Sequence, residues 1–286
     1  MDSFAVDFLI GGGTAAVSKT ITAPLEFAKL LLQNQSESKT ITRKYTGLSD
    51  VMRSVYKEQG VRAFWQGNLT NVIRYFPAQA LNFAFKDKFK HIFATRPEAG
   101  FVPHLVGNTL SGGFAGATSL LCVYPLDLAR TRLGTDIVSG STERKFRGLG
   151  HCLTWCYRHG GFAALYRGFG ISVLGIFIYR GLYFGLYDTS KSLLPESSLL
   201  TRLVLSFGVT TTAGLLAYPV DTVRRRIMMT VGGKAYGSAW EATKTVAREG
   251  ALFKGAFVNI VRGTGCALVL VGVDEVEKLV GRTHTY

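Results

Sequence analysis

The sequence predicts an all-α membrane protein of six transmembrane helices, made from three copies of one helix–loop–helix unit. Three observations carry that expectation. Of 286 residues 47% are apolar, the mean hydropathy is +0.20 and 33 are glycine, a mixture suited to helices that approach closely in lipid. One short motif recurs three times, roughly a hundred residues apart, which is too far for a solenoid repeat. Six apolar segments, near 5–33, 70–92, 105–134, 170–191, 199–229 and 256–279, each reach the roughly 20 residues that cross about 30 Å of hydrocarbon. None shows the strict alternation of barrel strands.

The recurring motif is proline, any residue, acid, any two residues, base. It stands as Pro24-Leu-Glu26-Phe-Ala-Lys29, Pro125-Leu-Asp127-Leu-Ala-Arg130 and Pro219-Val-Asp221-Thr-Val-Arg224. An aromatic-x-Gly element follows each copy: Trp65-Gln-Gly67, Tyr166-Arg-Gly168 and Phe253-Lys-Gly255. Together they divide the chain into repeats 1–97, 98–196 and 197–286, which form one domain.

Between the paired segments lie polar stretches with amphipathic runs at 45–60, 146–161 and 236–250. The first places Leu48, Met52, Val55 and Tyr56 on one face, and the second Leu149, Cys152, Leu153 and Cys156. These read as helices lying in the membrane interface. The long loops carry Lys39, Arg43, Lys44, Arg144, Lys145, Arg147, Lys234 and Lys244, whereas the connections near 94–104 and 193–201 carry few bases. The positive-inside rule therefore puts the three long loops on one side and both termini on the other.

The net charge is +14, from 33 Lys and Arg against 19 Asp and Glu. Such a balance suits nucleic acid, anionic lipid or an anionic solute. No nucleic-acid motif is present, and several bases lie inside apolar segments, which favours a path for an anion. A proline within a spanning helix kinks it. Three kinks at equal depth would bring Glu26, Asp127 and Asp221 to bases of neighbouring repeats, namely Lys29, Arg130 and Arg224. Buried charges are costly unless paired, so a closed ring of pairs holds and an opened ring needs new partners. That is the physics of a gate. Local pairing at i,i+3 is the plainer alternative, and it leaves the threefold proline unexplained.

A second set stands at the far ends of the even segments: Asp87 with Lys90, and Asp188 with Lys191. In the third repeat Asp274 is followed at that spacing by Glu277, and Lys278 lies about 100° round the helix. Between the two sets sit Lys19, Arg74 and Arg262, with no acid at i±3 or i±4. Snorkelling would account for bases near helix ends, but these stand away from the ends. Cations round one cavity would suit a di- or triphosphate, with arginine offering bidentate contacts. Tyr179, Tyr183 and Tyr187 recur every four residues beside Gly175 and Ile176, either as a wall for a flat base or as ordinary packing.

With these residues in place, the chain resembles the mitochondrial carrier family over its whole length. Within it, Arg224-Arg225-Arg226-Ile227-Met228-Met229 is similar to the signature of the ADP/ATP carriers, which has Met at the position of Ile227. Gly67–Pro77 and Ala80–Asp87 match the same group. The resemblance implies six transmembrane helices in a pseudo-threefold barrel of three repeats, with three short matrix-side interfacial helices. It implies a multi-pass antiporter of the mitochondrial inner membrane that exchanges ADP for ATP by alternating access. The motif pairs would be the matrix gate, and Asp87, Lys90, Asp188, Lys191 and Asp274 the cytoplasmic gate. Lys19, Arg74 and Arg262 would hold phosphates, and Gly175, Ile176 and Tyr179 the adenine. Asn82, Lys86 and Arg224 would line the nucleotide's way. Cardiolipin is the implied lipid partner, nucleic acid is not a partner, and a monomer is expected. A related nucleotide, or a proton-leak variant, is the alternative cargo. Ala217 stands where those carriers usually have Ser, and the third long loop is shorter than usual before Phe253.

Other signals point nowhere. The N-terminal MDSFAVDFLIGGG is not an Arg-rich transit peptide, so targeting is expected to be internal. His151, Cys152, Cys156 and His159 lack a second cysteine pair at zinc spacing, and Gly11–Thr14 lacks the GKS or GKT of a phosphate loop. Neither a triad nor a nucleophile with a plausible base is found, so no enzyme activity, metal or cofactor is expected.

Overall fold

The computed structural model describes residues 3–36, 44–93, 100–136, 145–193, 199–230 and 236–265, which contain helices and no strand. The helices are α1 (Ser3–Asn34), α2 (Leu48–Gln59), α3 (Asn68–Ile92), α4 (Phe101–Thr135), α5 (Leu149–Leu165), α6 (Phe169–Leu193), α7 (Leu199–Met229) and α8 (Ala239–Arg248), with a 3-10 turn at Val61–Trp65. A further helix, α9, occupies 256–265. Asp274, Glu277, Lys278 and the loop bases Lys39, Arg43, Arg144 and Lys234 lie outside the described residues, as do the side chains of Asp87, Asp188 and Lys191.

The odd-numbered apolar segments have become α1, α4 and α7, of 32, 35 and 31 residues, each with its motif proline inside. The stretch Phe169–Tyr187 of α6 is long and uniformly apolar enough to cross a bilayer by composition alone, with a hydropathy of 1.6 and 6% of it buried. The other long helices are diluted by Gly, Ser, Thr and charged residues, as in Ser111-Gly-Gly113 and Gly116-Ala-Thr-Ser119 of α4. Length marks these segments better than uniform apolarity does.

Two compact units are present. One comprises Met1–Phe76, Ala129–Cys152 and Gly255–Tyr286, the other Pro77–Leu128 and Leu153–Lys254. They cut across the sequence repeats because α3, α4 and α5 each contribute to both. In the first unit Phe27, Ala28, Leu31 and Leu32 of α1 pack on Val51 and Val55 of α2 and on Phe64, with Val258 from α9. Phe27 meets Phe64 edge to face at 6.0 Å, a geometry favoured by the ring quadrupoles. In the second unit Val223 of α7 packs on Ala242 and Val246 of α8.

The short helices follow one recipe. Asp50 Oδ2 accepts Thr46 N–H at 3.0 Å, His151 Nδ1 accepts Arg147 N–H at 3.3 Å, and Glu241 Oε2 accepts Gly237 N–H at 2.7 Å. Each bond satisfies a donor just before the helix, as the second half of a capping box does. Ser238 completes the box on α8 by accepting Glu241 N–H at 3.1 Å. The loops leading in are pinned alike: Gln35 Oε1 accepts Tyr45 N–H at 2.7 Å, and Asp136 Oδ2 accepts Phe146 N–H at 2.8 Å. One expectation fails in detail. Tyr56 is 59% exposed while Val51 and Val55 are buried, so the inward face of α2 is centred on Val51, and an aromatic ring with a polar tip stays at the rim. On α5, Cys152 and Cys156 are buried as expected, whereas His159 is exposed and stacks on Trp155 at 4.0 Å.

Gly67 adopts φ +78, and a Cβ there would stand 3.2 Å from Gly134 N and 3.3 Å from Arg130 O. Backbone cannot yield as a side chain can, so this glycine sets how closely the turn approaches α4. Gly60 has a similar φ of +75 but nothing within 4 Å. Gly60→Ala should cost about 1–2 kcal/mol for backbone strain alone. Gly67→Ala should add about 1–3 kcal/mol of overpacking. Parallel thermal unfolding of the two purified variants checks the difference; equal losses would contradict the close approach.

Candidate functional site

The three motif acids and the bases near them form specific pairs. In the first unit Arg130 of α4 pairs with Glu26 of α1 through Nη2, with side-chain exposures of 7% and 19%. Glu26 Oε2 also accepts Asn71 Nδ2 at 3.0 Å. In the second unit Arg224 of α7 pairs through Nη2 with Asp127 of α4, with exposures of 18% and 7%. A base from one repeat thus reaches the acid of the repeat before it. Asp221 accepts Arg225 Nε at 3.2 Å within α7, and Lys29 is buried.

Three successive arginines therefore meet three different acids. Consecutive side chains on a helix point about 100° apart, so Arg224, Arg225 and Arg226 cannot share a partner. Arg226 is fully buried and pairs with Glu249, just after α8, at 2.5 Å. The pair ties the end of α8 to α7. Ile227 packs against the cluster of Val223, Ala242 and Val246, Met228 is buried and Met229 half-buried.

Lys19, Arg74 and Arg262 all belong to the first unit. Lys19 is half-buried with Nζ 4.8 Å above the Tyr75 ring, a cation–π contact that tolerates an ammonium group without a carboxylate. The charges of Arg74, Arg262, Arg130 and Glu26 all act on it. Arg262 Nη2 donates to Asn259 Oδ1 at 3.3 Å. The three cations read from the sequence thus come into one electrostatic neighbourhood, alongside the Glu26–Arg130 pair. A small cleft borders that pair, lined in part by Glu26, Arg130, Gln66, Asn68 and Asn71.

In the second unit Tyr179, Tyr183 and Tyr187 stack along α6 with centroids 6.2 and 5.9 Å apart. A Cβ on Gly175 would stand 3.2 Å from Val220 Cγ1, and one on Gly116 would stand 3.1 Å from Ile176 Cγ2. The face of Gly175 read as a gap is here filled by α7, and Ile176 seats on α4. Asn82 is half-buried on α3, while Lys86 and Lys90 are exposed.

Two partners do not stand out in the sequence. Asn71 stands four residues after Gly67, as Ser172 and Asn259 do after Gly168 and Gly255, so comparison of the repeats at that position would single it out. Glu249 looks in sequence like a marker of the repeat and is the counter-charge of Arg226.

Comparison with known proteins shows the family of the chain. The Mitochondrial carrier protein family matches residues 1–97, 102–198 and 195–284. The chain is 52% identical over 290 residues to ADP/ATP translocase 2 of Bos taurus, covering 96% of this chain and 97% of that one. It is 52% identical over 293 residues to ADP/ATP translocase 3 of Homo sapiens, covering 97% and 98%. It is 53% identical over 294 residues to the mitochondrial substrate carrier family protein ancA of Dictyostelium discoideum, covering 98% and 95%. The chain belongs to the mitochondrial carrier family, whose members are transporters of the mitochondrial inner membrane.

Removing Glu249 would leave the Arg226 guanidinium buried without its carboxylate partner. Since Glu249 is partly exposed, Glu249→Ala should cost about 1–3 kcal/mol. Thermal unfolding with and without the paired change Arg226→Leu checks it: the paired change should recover most of the loss, and no recovery would contradict the pairing.

Proposed function

We propose that this chain exchanges ADP for ATP across the mitochondrial inner membrane, through six spanning helices in a pseudo-threefold barrel with α2, α5 and α8 on the matrix face. The observation that carries this reading is the gathering of Lys19, Arg74 and Arg262 beside the Glu26–Arg130 pair. A polyphosphate brings several negative charges, and the site supplies cations with one acid to balance them. Relatives about half identical over nearly the full chain are ADP/ATP translocases, which supports the same cargo.

In the proposed cycle the phosphates settle on Lys19, Arg74 and Arg262. Once α6 parts from Val220 of α7 and from α4, which fill the faces of Gly175 and Ile176 in this state, Gly175, Ile176 and Tyr179 receive the adenine, and Asn82, Lys86 and Arg224 act along the way. Arriving negative charge competes with Glu26 for cations. Weakening of Glu26–Arg130 and Arg224–Asp127 then lets the kinked helices part on the matrix side. Lys29 and Asp221 belong to the same matrix gate. Asp87, Lys90, Asp188, Lys191 and Asp274 form the cytoplasmic gate, which Glu277 leaves the weaker of the two. Because ATP carries one more negative charge than ADP, exchange is driven by membrane potential, at ~2.3 kcal/mol per 100 mV. The basic rim of the matrix loops suits an anionic lipid such as cardiolipin, and a monomer suffices.

Proteoliposomes loaded with ADP test the reading. The wild type should take up labelled ATP only in exchange, and faster when the lumen is held positive, since each exchange carries one negative charge inward. Arg74→Ala and Arg262→Ala should each lower exchange about 10- to 100-fold, from the loss of a charge-assisted contact. Absence of ATP uptake by the wild type at any potential would end the proposal. Preference for another nucleotide in competition, or proton flux without exchange, would establish the alternative cargo.

A further inference from the structure

We infer that Trp65 and Tyr166 are positioning residues that stand in for the helical donors removed by Pro24 and Pro125, and that Phe253 leaves the third kink as the compliant one. In an α-helix the carbonyl of residue i accepts the N–H of residue i+4, and proline has none to give. Pro24 therefore frees the carbonyl of Thr20, Pro125 that of Leu121 and Pro219 that of Leu215. Trp65 Nε1 donates to Thr20 O at 2.8 Å, and Tyr166 OH donates to Leu121 O at 3.2 Å. Each donor is the aromatic residue of an aromatic-x-Gly element. The two recurring motifs of the chain are thus halves of one hydrogen bond, repeated at the same register. At the third position Phe253 is an aromatic ring with no donor, stacked on Tyr218 at 6.4 Å.

The turn is also held from the other direction, and unevenly. Tyr124, just before Pro125, donates its hydroxyl to Arg167 O at 2.8 Å, and Tyr218, just before Pro219, donates to Lys254 O at 2.9 Å. The first repeat has Ala23 there. Instead, Asn68 Nδ2 bonds Thr20 Oγ1 at 3.2 Å. The second repeat is clasped in both directions; the third turn is held from α7 by Tyr218 and by Thr222, whose hydroxyl donates to Leu252 O at 2.9 Å, but its aromatic residue, Phe253, has no donor to offer the freed carbonyl of Leu215. In a low-dielectric surround an unmet carbonyl costs free energy, so the donor fixes both the kink and the seat of the following helix. α7, which also carries Arg224, is the helix whose kink is left to bend.

Full-length protein tests this in two independent ways. Trp65→Phe removes the donor and keeps a ring, and should lower Tm by about 2–4 °C. In a Pro24→Ala background the backbone N–H restored at that position supplies Thr20 O, so the same change should cost less than half as much. An equal cost in both backgrounds would mean that Trp65 acts by packing and would overturn the inference. Phe253→Tyr adds a donor to the third turn. It should raise Tm and lower the maximal exchange rate about threefold or more with KM for ADP unchanged. Exchange at the wild-type rate would overturn the claim that this kink is the compliant one. That second arm rests on the proposed exchange, which the wild-type control checks separately; the Tm arm does not depend on it.

Discussion

The constraint on which the rest depends is that a charge taken out of water must find an opposite charge. Glu26, Asp127, Arg130 and Arg224 lie inside long helices of a membrane transporter and are mostly buried. Their cost of desolvation is met by pairing between repeats, Arg130 to Glu26 and Arg224 to Asp127. The same pairs that stabilise this state are what an anionic solute would compete for. In the proposed cycle, stability and response to the solute would arise from one set of contacts.

Around those pairs the fold divides its labour by helix geometry. The 100° step between neighbours sends Arg224 to Asp127, Arg225 to Asp221 and Arg226 to Glu249. A run that looks like one basic cluster is therefore one inter-repeat pair, one local pair and one structural anchor. Asp50, His151 and Glu241 show the converse: three different side chains perform one task, accepting a backbone N–H ahead of a short helix. Chemical type is free to vary where only an acceptor is needed, and it is constrained where charge must balance charge.

The repeats, the long helices and the pairing of motif acids with bases from other repeats were legible because each rests on spacing, and spacing survives translation into structure. The gathering of Lys19, Arg74 and Arg262 was legible from their isolation among apolar residues. What escaped was whatever needs a third dimension. Nothing in the order of residues places Val220 in front of Gly175, turns Tyr56 outward or seats Trp65 on the carbonyl of Thr20. Asn71 was hidden for a different reason: an amide carries no charge, and its position four residues after Gly67 gains meaning only when the three repeats are laid side by side.

The proposed gate requires that Glu26 and Arg130 act through their mutual charge. Its most direct test is a charge exchange at that pair, measured as nucleotide exchange in proteoliposomes. Glu26→Arg alone and Arg130→Glu alone should abolish exchange, and the two together should restore a substantial part of it. Inactivity of the double variant, in a protein that still unfolds cooperatively at the wild-type temperature, would contradict the claim.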